Sequence, residues 1–433
     1  MVTLILSGGA GTRLWPLSRK SMAKQFVKLI DEQSLYQKNF DRNQQFSDRF
    51  LVVTNKDQLM VAKRQAIAYE DKSDFLVEPV GRNTAPAIAL SCMQLDPEEL
   101  VLVTPSDHLI ENDTRYQQAI DQAKLLAEDG KLVTFGIEPT SPDTGYGYIE
   151  CNGTDVLSFY EKPNRETAEM YLAKGNFVWN SGMFCFKAGA FLNELKKYSP
   201  LIYEACKSAN IFTNNGVMTL SEDDMNRIPE DSIDYAVMEK SSLISVVSSS
   251  FSWTDLGTFD SLYDIYQKDE EGNTKTSDYT AYKSSGNLLY GKGKKICVAG
   301  VQDLIVVDTE DALLITRRGE SQEVKQLVNL LKKKDPTAMN LATVSYHSWG
   351  KMIVMDSCGQ KSIMKSIVLP GKAMKHVAGK KTETWTIVEG VGAFENETKH
   401  YTEGDFFRIE ANKECLVQNT SETPVIFTYV SYH

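Results

Sequence analysis

Three glycines within four positions, directly after a short apolar run, constrain this chain more than any other feature. The run Leu4–Leu6 leads through Ser7 to Gly8, Gly9 and Gly11. Leu-Ile-Leu predicts a strand, and glycines tolerate positive φ and carry no Cβ, so that a ligand can lie directly on backbone N–H groups. A strand that opens into such a loop predicts an anion-binding nest at one end of a sheet.

Positive charge follows this glycine loop. Thr12 adds a hydroxyl, and Arg13, Arg19 and Lys24 add cations around the loop; Arg offers a planar fork and Lys a point charge to a phosphate. For a lone glycine-rich loop, a turn with solvated basic residues would be the better interpretation, because short glycine patterns occur by chance. The loop needs partner motifs before it indicates phosphate binding.

Two common phosphate-binding loops are excluded by spacing. The loop lacks the Gly-Lys-Ser/Thr ending of a P-loop. It also lacks the third glycine of a dinucleotide fingerprint, and Trp15 with Pro16 would interrupt a helix that began there. The loop therefore belongs to another class of nucleotide- or phosphate-binding protein.

Composition limits the remaining classes. A chain of 433 residues predicts two or three domains, and a net charge of −11 argues against a general binder of nucleic acid or membrane surfaces. No apolar run approaches the roughly 20 residues of a membrane helix, and we expect no signal peptide. Seven cysteines without a Cys-x-x-Cys pair fit a reducing cytoplasm.

Apolar runs alternate with amphipathic stretches from residue 1 to about residue 266. The predicted strands are Leu4–Leu6, Phe50–Thr54, Asp74–Val77, Leu100–Thr104 and Leu132–Gly136, and the predicted helices are Leu35–Phe46, Lys56–Tyr69, Ala85–Leu95 and Tyr116–Glu128. This alternation predicts an α/β domain with a Rossmann-like, doubly wound mixed sheet that is mostly parallel. Ligands of such sheets bind beyond the carboxyl ends of the strands.

Two sequence blocks carry a resemblance to a known family. Gly8 to Ser18 reads Gly-Gly-Ala-Gly-Thr-Arg-Leu-Trp-Pro-Leu-Ser, and with the following Lys24 it resembles the signature of sugar-phosphate nucleotidyltransferases. Glu78 to Pro86 resembles the Glu-Pro-x-Gly-Arg-Asn-Thr-Ala-Pro block of the mannose-1-phosphate guanylyltransferase branch. That branch usually has Pro where this chain has Ala23, so the aim of Lys24 is less constrained here.

The block that follows the third strand offers Glu78, Arg82, Asn83 and Thr84. A guanine edge needs an acceptor for N1–H and the 2-amino group and a donor for O6, and these side chains supply both. Asn83 or Thr84 alone would be interpreted as a helix cap. The resemblance implies that this block and the glycine loop bind the nucleotide.

Asp107 and Asp255 are the candidate metal ligands. Asp107 ends an apolar strand and Asp255 follows another; either alone would more simply turn the chain. Mg²⁺ takes one or two protein carboxylates together with phosphate oxygens and water. The resemblance therefore implies a magnesium ion, or another divalent cation, on this pair, while His108 is interpreted as structural.

The sugar end is assigned by resemblance to Gly147, Glu161, Lys162 and Asn180. Residues 142–149 place two glycines among aromatics, which suits close approach to a flat ligand and suits a β-turn equally well. Lys162 would clamp a sugar phosphate and Glu161 and Asn180 its hydroxyls, against the alternative of an exposed ion pair. The segment 232–240 is interpreted as a packing helix.

The resemblance implies three domains, a nucleotidyltransferase domain (1–266), a connector with a small β-helical domain (267–340), and a cupin-like β-domain (341–433). The last resembles the mannose-6-phosphate isomerase type, which binds metal through a His pair, a Glu and a later His. Glu383 survives, but Lys380 and Cys415 stand near the expected histidines, and His376 is poorly placed. We therefore expect a degenerate cupin without isomerase activity.

The implied reaction is transfer of GMP from GTP to α-D-mannose 1-phosphate, which gives GDP-mannose and pyrophosphate. Arg13 and Lys24 would neutralise phosphate charge, with Asp107 and Asp255 holding the metal. Two alternatives stay open: a related enzyme for another nucleotide or hexose 1-phosphate, and a non-catalytic sensor of sugar nucleotides. The resemblance also implies a cytoplasmic homodimer without nucleic-acid or membrane partners.

Overall fold

The chain folds into two compact units. The computed structural model describes residues 1–9, 12–20, 22–111, 114–291, 294–309, 311–334, 344–358, 360–394 and 400–432. One unit comprises Met1–Leu14 and Ala23–Lys268, and the other comprises Trp15–Met22 and Asp269–His433. The domain boundaries expected after residues 266 and 340 stay predictions.

An eleven-stranded mixed sheet forms the centre of the first unit, in the order β10-β11-β3-β2-β1-β4-β9-β6-β12-β8-β7. A two-stranded ribbon pairs β13 with β5. The strands are β1 (Val2–Ser7), β2 (Arg49–Asn55), β3 (Ser73–Glu78), β4 (Leu100–Pro105), β5 (Leu109–Ile110), β6 (Leu132–Ile137), β7 (Tyr148–Asn152), β8 (Asp155–Tyr160), β9 (Phe177–Lys187), β10 (Phe212–Asn214), β11 (Val217–Thr219), β12 (Ile244–Ser249) and β13 (Trp253–Thr254).

Helices cover both faces of this sheet. They are α1 (Leu35–Asn43), α2 (Leu59–Gln65), α3 (Thr84–Cys92), α4 (Thr114–Glu128), α5 (Arg165–Lys174), α6 (Ala188–Tyr198), α7 (Pro200–Ser208), α8 (Glu222–Arg227) and α9 (Phe259–Ile265), with short 3-10 helices at Thr12–Leu14, Lys24–Phe26 and Ile67–Lys72 and a π-helix at Asp234–Met238. Val101 and Val103 pack into one core with α3, α6 and α7, whereas Leu102 packs into another with α4. Continuous apolar strands follow from this burial on two faces.

The predicted fold class is confirmed, with one difference in strand direction. Strands β11, β3, β2, β1 and β4 run parallel in succession, as expected. Strand β9, however, lies antiparallel between β4 and β6, and β7 and β8 also pair antiparallel. The sheet is therefore less parallel than the alternation predicted, because hydrophobic periodicity carries no information on strand direction.

Short parallel pairs begin the second unit. Tyr279 pairs with Ile296 and Leu288 with Ile305, so the paired residues are 17 positions apart in the sequence. The same offset separates Ser284 and Val301, whose backbone amide donates a hydrogen bond to the Ser284 hydroxyl. The elements are β14 (Tyr279–Tyr282), β15 (Leu288–Gly291), β16 (Ile296–Ala299), β17 (Leu304–Asp308), β18 (Leu313–Arg317) and α10 (Val324–Lys334). Stacking at a constant offset is the geometry of a parallel β-helix, as predicted for this region.

A buried ion pair anchors residues 15–22 within the second unit. Arg19 is only 5% exposed, and its Nη2 donates to both carboxylate oxygens of Asp311 at 2.9 Å. The guanidinium also donates to the Pro16 carbonyl and lies 5.3 Å from the Trp15 ring centroid. The expectation that Arg19 adds free charge around the glycine loop is wrong, because Asp311 already neutralises its guanidinium.

Two antiparallel sheets form the C-terminal part of the second unit. The first has the order β19-β20-β21-β28-β23-β26 and the second β22-β27-β24-β25. Their strands are β19 (Val344–His347), β20 (Gly350–Cys358), β21 (Lys361–Val368), β22 (Ala373–Val377), β23 (Glu383–Glu389), β24 (Gly392–Phe394), β25 (His400–Tyr401), β26 (Phe406–Ile409), β27 (Glu414–Asn419) and β28 (Val425–Tyr432). This arrangement agrees with the cupin-like β-domain that was predicted.

Glu383 is fully buried in this β-domain, and four groups form hydrogen bonds with its carboxylate. Its carboxylate accepts from Gly379 N at 2.9 Å, Trp385 Nε1 at 3.0 Å and Ser431 Oγ at 3.0 Å, and pairs with His376 Nε2 at 2.8 Å. His376, which was considered only as a poorly placed substitute metal ligand, lies on β22 with its ring against Glu383. Burial alone would raise the pKa of Glu383, but the His376 bond and the other donors lower it.

We expect Glu383→Gln to destabilise the β-domain by about 1–3 kcal/mol at pH 7, because a neutral amide cannot accept from this many donors. A lowered folded-state pKa stabilises the fold above the ordinary Glu value of about 4.3, and this contribution is lost as pH falls through the lowered pKa. The wild-type advantage in urea unfolding should therefore shrink below pH 4. Glu389→Gln, on the exposed side of the same strand, should leave the curves unchanged; equal loss in both variants would contradict the role of Glu383.

Asp311→Asn should lower the free energy of unfolding of the second unit by about 1–3 kcal/mol, because the buried Arg19 guanidinium then lacks its counter-charge. Asp278→Asn is the matched control, since Asp278 faces Lys295 at 3.7 Å in an exposed pair that contributes little. Urea midpoints of the two variants compare them directly, and equal midpoints would show that the Arg19 pair stabilises nothing.

Candidate functional site

A cavity of about 470 Å³ lies at the carboxyl ends of the central strands of the first unit. Strands β1, β3 and β4 end on its wall, at Ser7, Glu78 and Pro105. This is the edge at which the sequence predicts ligand binding. The cavity is lined by Leu6, Ser7, Gly8, Gly9, Val53, Glu78, Gly81, Asn83, Thr84, Ala87, Pro105, Asp107, His108, Gly182, Phe184, Ile233 and Asp234.

The glycine loop borders this cavity with open space above it. Among the described residues, a Cβ built on Gly9 would meet no atom within 4 Å, and one on Gly8 would meet Glu78 Oε2 at 3.5 Å. Neither glycine has a positive φ, so backbone conformation does not require glycine here. The two positions instead leave room for a ligand against the main chain. Gly11 lies outside the described residues, and Thr12 begins a 3-10 helix.

Two glutamines contact carbonyl oxygens of the glycine loop, and neither of them was assigned to the site from the sequence. Gln25 Nε2 lies 3.3 Å from the Gly9 carbonyl oxygen and 3.4 Å from the Ser7 carbonyl oxygen. Gln58 Nε2 lies 3.4 Å from the same Gly9 oxygen. Both glutamines are almost completely buried. With its carbonyl held on the protein side, the loop keeps its open side toward the cavity. The position of Gln25 beside Lys24 was the only signal in the sequence.

Lys24 contacts both segments that carry the candidate metal ligands, through the carboxylate of Asp107 and the main-chain oxygen of Asp255. Its ammonium is 5% exposed and lies 2.8 Å from Asp107 Oδ2 and 2.5 Å from the main-chain oxygen of Asp255. The ribbon of β5 and β13 brings these residues together. Thr254 pairs with Leu109 in antiparallel register, so Asp107, which precedes β5, and Asp255, which follows β13, lie at the same end of the ribbon. Three segments distant in sequence thus converge on one cation.

Asp107 is ionised at neutral pH. Burial is the largest single influence and raises the pKa of this carboxyl, but the charge of Lys24, together with smaller contributions that include its hydrogen bond and one from the backbone, lowers it to about 2. His108 differs: burial lowers the pKa of its imidazole, against the opposing charge of Asp107. Its Nδ1 accepts from Trp253 Nε1 at 3.2 Å. A neutral ring held by a tryptophan fits the structural role predicted for His108.

Asp255 is held by its own loop and by an aromatic hydroxyl. Its Oδ1 accepts from Tyr146 at 3.1 Å and from the Gly257 amide at 3.0 Å. Burial, followed by the carboxylate of Asp255, raises the pKa of Tyr146, while the Arg13 guanidinium opposes the rise. Arg13, which is exposed, therefore acts on the same neighbourhood as Asp255.

Glu78 reaches into the cavity without a bonding partner for one oxygen. The side chain is 5% exposed, and among the residues that the structure describes Oε1 has no hydrogen-bond partner. Burial raises the pKa of Glu78 to about 7. A buried acceptor without a donor is costly unless a ligand satisfies it, so Glu78 is a strong candidate for ligand contact.

Of the other candidates in the Glu78 block, two line the cavity and one contacts a neighbouring helix. Asn83 and Thr84 line the cavity, although Asn83 also accepts from Thr84 N as the cap of α3, and the Thr84 hydroxyl oxygen accepts from Ile233 N. Arg82 lies elsewhere: its guanidinium donates to the Met225 carbonyl at 3.1 Å and to Asn226 Oδ1 at 2.6 Å. These bonds tie Arg82 to the end of α8, and it is absent from the lining of the cavity.

The sugar-end candidates lie together. A Cβ on Gly147 would lie 2.6 Å from Glu161 Oε2 and 3.4 Å from Asn180 Cβ, so any side chain here would displace the Glu161 carboxylate. Asn180 N donates to the Gly147 carbonyl at 2.8 Å. Lys162 contacts Glu161 and is largely exposed, with a positive φ of 46°. Asp234, in a segment predicted to serve packing alone, joins this group through Asn180.

The fold and the site define an α/β nucleotide-binding protein, with a glycine loop on the wall of its cavity and a buried lysine that contacts the Asp107 carboxylate and the Asp255 main-chain oxygen. Comparison with known proteins agrees. The nucleotidyl transferase family model matches residues 2–272, and a model described as a mannose phosphate isomerase/GMP-like β-helix domain matches residues 279–331. Nucleotidyl transferases generally use a divalent metal ion.

Relatives and solved structures narrow the class. A mannose-1-phosphate guanylyltransferase of Klebsiella pneumoniae is 35% identical, over 98% of this chain and 94% of its own. A Thermus thermophilus structure, described as a mannose-1-phosphate geranyltransferase, has a TM-score of 0.66 and 30% identity over 76% of this chain and 99% of its own. A Helicobacter pylori structure, described as a mannose-6-phosphate isomerase, has a TM-score of 0.53 and 39% identity over 58% of this chain and 98% of its own. The chain belongs to the mannose-1-phosphate guanylyltransferase family of nucleotidyl transferases.

Membrane spans and ready-made metal clusters are both missing from the described part of the chain. None of its helices combines the length and apolar character that crossing a membrane requires. No group of three or more His, Cys, Asp or Glu side chains suited to a metal ion occurs in it. Asp107 and Asp255 make a pair, which is the number of carboxylates that Mg²⁺ takes when phosphates supply the other oxygens.

We expect Gly9→Ala to weaken nucleotide binding roughly tenfold or more while leaving the thermal unfolding midpoint unchanged, because the added methyl group meets open cavity rather than protein. Titration calorimetry with GTP measures the first effect and calorimetric unfolding the second. Gly130→Ala, in a turn far along the chain with φ of 83°, should give the reverse pattern: lower stability and unchanged binding. Unchanged GTP affinity in Gly9→Ala would contradict the loop as a phosphate site.

Proposed function

We propose that this protein transfers GMP from GTP to α-D-mannose 1-phosphate, with release of pyrophosphate and formation of GDP-mannose. The observation that carries the proposal is the buried Lys24 ammonium, held by Asp107 and Asp255 at the end of a cavity that begins with a glycine loop. Family membership supplies the reaction class. The guanine and mannose components come from the names of the relatives.

The reaction needs no activated nucleophile. The sugar phosphate is already an anion at pH 7, so its oxygen attacks the α-phosphorus of GTP while the bond to the β,γ-pyrophosphate breaks. Catalysis then consists of alignment and of neutralising charge that builds on the phosphates. That requirement matches a site that combines the buried Lys24 and the exposed Arg13 with the backbone donors of a glycine loop.

Phosphate binding is assigned to the N-terminal segment. Gly8, Gly9, Gly11 and Thr12 would receive the β,γ-phosphates, and Arg13 would neutralise the departing pyrophosphate. Lys24 would lie against the α-phosphate, since it is already fixed between two acidic segments and loses little freedom when the nucleotide binds.

Asp107 and Asp255 fit a divalent cation, and we propose Mg²⁺. Both carry the hard oxygen donors that Mg²⁺ prefers, and Lys24 contacts the carboxylate of Asp107 and the main-chain oxygen of Asp255. The lowered pKa of Asp107, about 2, favours its ionised form at neutral pH. When bound there, the ion would supply charge neutralisation to the phosphates.

Base and sugar are assigned to opposite ends of the cavity. Glu78, whose Oε1 lacks a partner, would accept from guanine N1–H and the 2-amino group, with Asn83 and Thr84 beside it. Arg82 would act on the base only through the loop that it ties to α8. Lys162 would hold the sugar phosphate, and Gly147, Glu161 and Asn180 would receive the hexose.

Two alternatives differ in a measurable way. A related nucleotidyltransferase would prefer another base or sugar, and a non-catalytic sensor would bind sugar nucleotides without turnover. The presence of Arg13, Lys24, Asp107 and Asp255 favours turnover. We further propose a cytoplasmic homodimer without nucleic-acid or membrane partners and without isomerase activity.

Pyrophosphate release tests the proposal. The protein is assayed with GTP, ATP, UTP and dTTP against a panel of hexose 1-phosphates in the presence of Mg²⁺. We expect kcat/KM to be greatest for GTP with mannose 1-phosphate. A greater value for another pair would assign the chain to the related enzyme, and binding without turnover would favour the sensor.

Asp107→Asn and Asp255→Asn should each lower kcat by about a hundredfold or more at limiting Mg²⁺, with partial recovery at high Mg²⁺, because each removes one charged ligand. Asp121→Asn, at an exposed position on α4, is the matched control and should keep wild-type kinetics. Unchanged turnover of both site variants at limiting Mg²⁺ would refute the metal assignment.

A further inference from the structure

Asp234 lines the cavity of the candidate site, although the segment 232–240 was predicted only to pack into the core. It is the first residue of the π-helix Asp234–Met238, whose Ala236, Val237 and Met238 are fully buried. The apolar side of this turn joins the core, and the acidic residue that begins it lies on the wall of the cavity. Packing therefore fixes the position of a carboxylate that the sequence did not single out.

The amide of Asn180 is oriented by three hydrogen bonds. Its Oδ1 accepts from the Gly182 amide at 3.1 Å and from the Thr134 hydroxyl at 3.1 Å, and its Nδ2 donates to Asp234 Oδ1 at 2.9 Å. A backbone N–H can only donate, so the oxygen of Asn180 must face Gly182. The carbonyl of Asn180 is consequently used within the protein, and its amide offers a ligand one N–H.

The carboxylate of Asp234 retains capacity to accept. It receives hydrogen bonds from Asn180 and from its own backbone amide, whereas a carboxylate has about four lone-pair sites. Burial, followed by the charge of Glu161, raises the pKa of Asp234 to about 6. Asp234 and Glu161 are therefore two like charges that share one end of the site, and hydroxyl donors from a ligand stabilise both.

A hexose presents hydroxyl groups, which need acceptors, and a phosphate, which needs donors. The sugar end of the site provides acceptors on Glu161 and Asp234, one N–H on Asn180, and an ammonium on Lys162. Asp234 is thus the acceptor that complements Asn180, since that amide has no free oxygen. Without Asp234, a hexose hydroxyl at this position would face an amide N–H alone.

We propose that Asp234 is a specificity-determining residue of the transferase: its carboxylate accepts a hydrogen bond from one ring hydroxyl of the hexose 1-phosphate while it holds Asn180 in the donating orientation. This inference rests on the proposed function and deepens it, because it names the group that distinguishes one hexose from another. Asp234 is assigned no contact with GTP.

The experiment compares wild type with Asp234→Asn on mannose 1-phosphate and its 2-, 3-, 4- and 6-deoxy analogues. We expect the KM for mannose 1-phosphate to rise roughly tenfold to hundredfold, as for a lost charge-assisted hydrogen bond, with the KM for GTP unchanged. Wild type should lose a similar factor on one deoxy analogue, and Asp234→Asn should lose almost nothing further on that analogue. The remaining analogues should lose equal factors in both enzymes.

Two further variants separate contact from general effects. Glu239 is an exposed carboxylate directly after the same π-helix, and its pKa also responds to the charge of Glu161. The variant Glu239→Gln therefore tests the loss of local negative charge alone, and we expect it to behave as wild type. Asp234→Glu keeps an acceptor and should recover part of the affinity for the hexose. Unfolding midpoints of all variants check that each is folded.

Each outcome bears on the inference. Equal factors in wild type and Asp234→Asn for every deoxy analogue would overturn it, and so would a parallel rise in the KM for GTP. If Asp234→Asn does not fold, the same analogue comparison with Asp234→Glu decides. Absence of pyrophosphate release from the wild type with every hexose 1-phosphate would instead refute the proposed function.

Discussion

The contact of the Lys24 ammonium with Asp107 and Asp255 is the interaction on which the site depends. A buried ammonium is costly unless its charge is paired and its hydrogen atoms are bonded, and here one carboxylate and one main-chain oxygen meet it at 2.8 and 2.5 Å. The partners lie 83 and 231 positions along the chain. Satisfying Lys24 therefore requires that the central sheet and the ribbon of β5 and β13 are both formed, so folding and assembly of the site occur together.

Other groups near this sheet edge are suited to a polar ligand. Within the described residues, Glu78 Oε1 has no hydrogen-bond partner, Gly8 and Gly9 leave open space against the main chain, and burial, followed by the charge of Glu161, raises the pKa of Asp234. A buried acceptor without a donor and two neighbouring like charges each cost free energy, which hydrogen-bond donors of a ligand offset. A guanine edge and the hydroxyl groups of a hexose provide such donors.

Sequence reasoning anticipated the part of this site whose residues lie in contiguous blocks at strand ends. The glycine loop, Glu78 and Asp107 each follow an apolar strand, and a parallel sheet brings such ends to one edge. It did not anticipate contacts between side chains distant in sequence. Arg19 was expected to add charge around the glycine loop, but Asp311 neutralises it; Arg82 contacts α8, and Gln25, Gln58 and Asp234 gave no pattern of their own.

The C-terminal β-domain illustrates the same limit. The sequence shows that this chain has no histidines at the positions expected for a metal-binding cupin and that it has Glu383. That His376 would turn onto Glu383, together with donors from Gly379, Trp385 and Ser431, depended on the register of β22 against β27 and of β23 against β28. Strand register follows from cross-strand packing, which no single segment encodes.

By itself, the sequence determined the strand-loop-helix order, the class of phosphate-binding loop and the acidic and basic groups available, because these depend on local patterns of apolar residues and glycine. Only the tertiary structure decided which charges are free and which are already paired, and which carboxylates share a cavity. The physical reason is that charge and hydrogen-bond satisfaction depend on distances of about 3 Å between residues far apart in the chain, and those distances exist only once the sheet has formed.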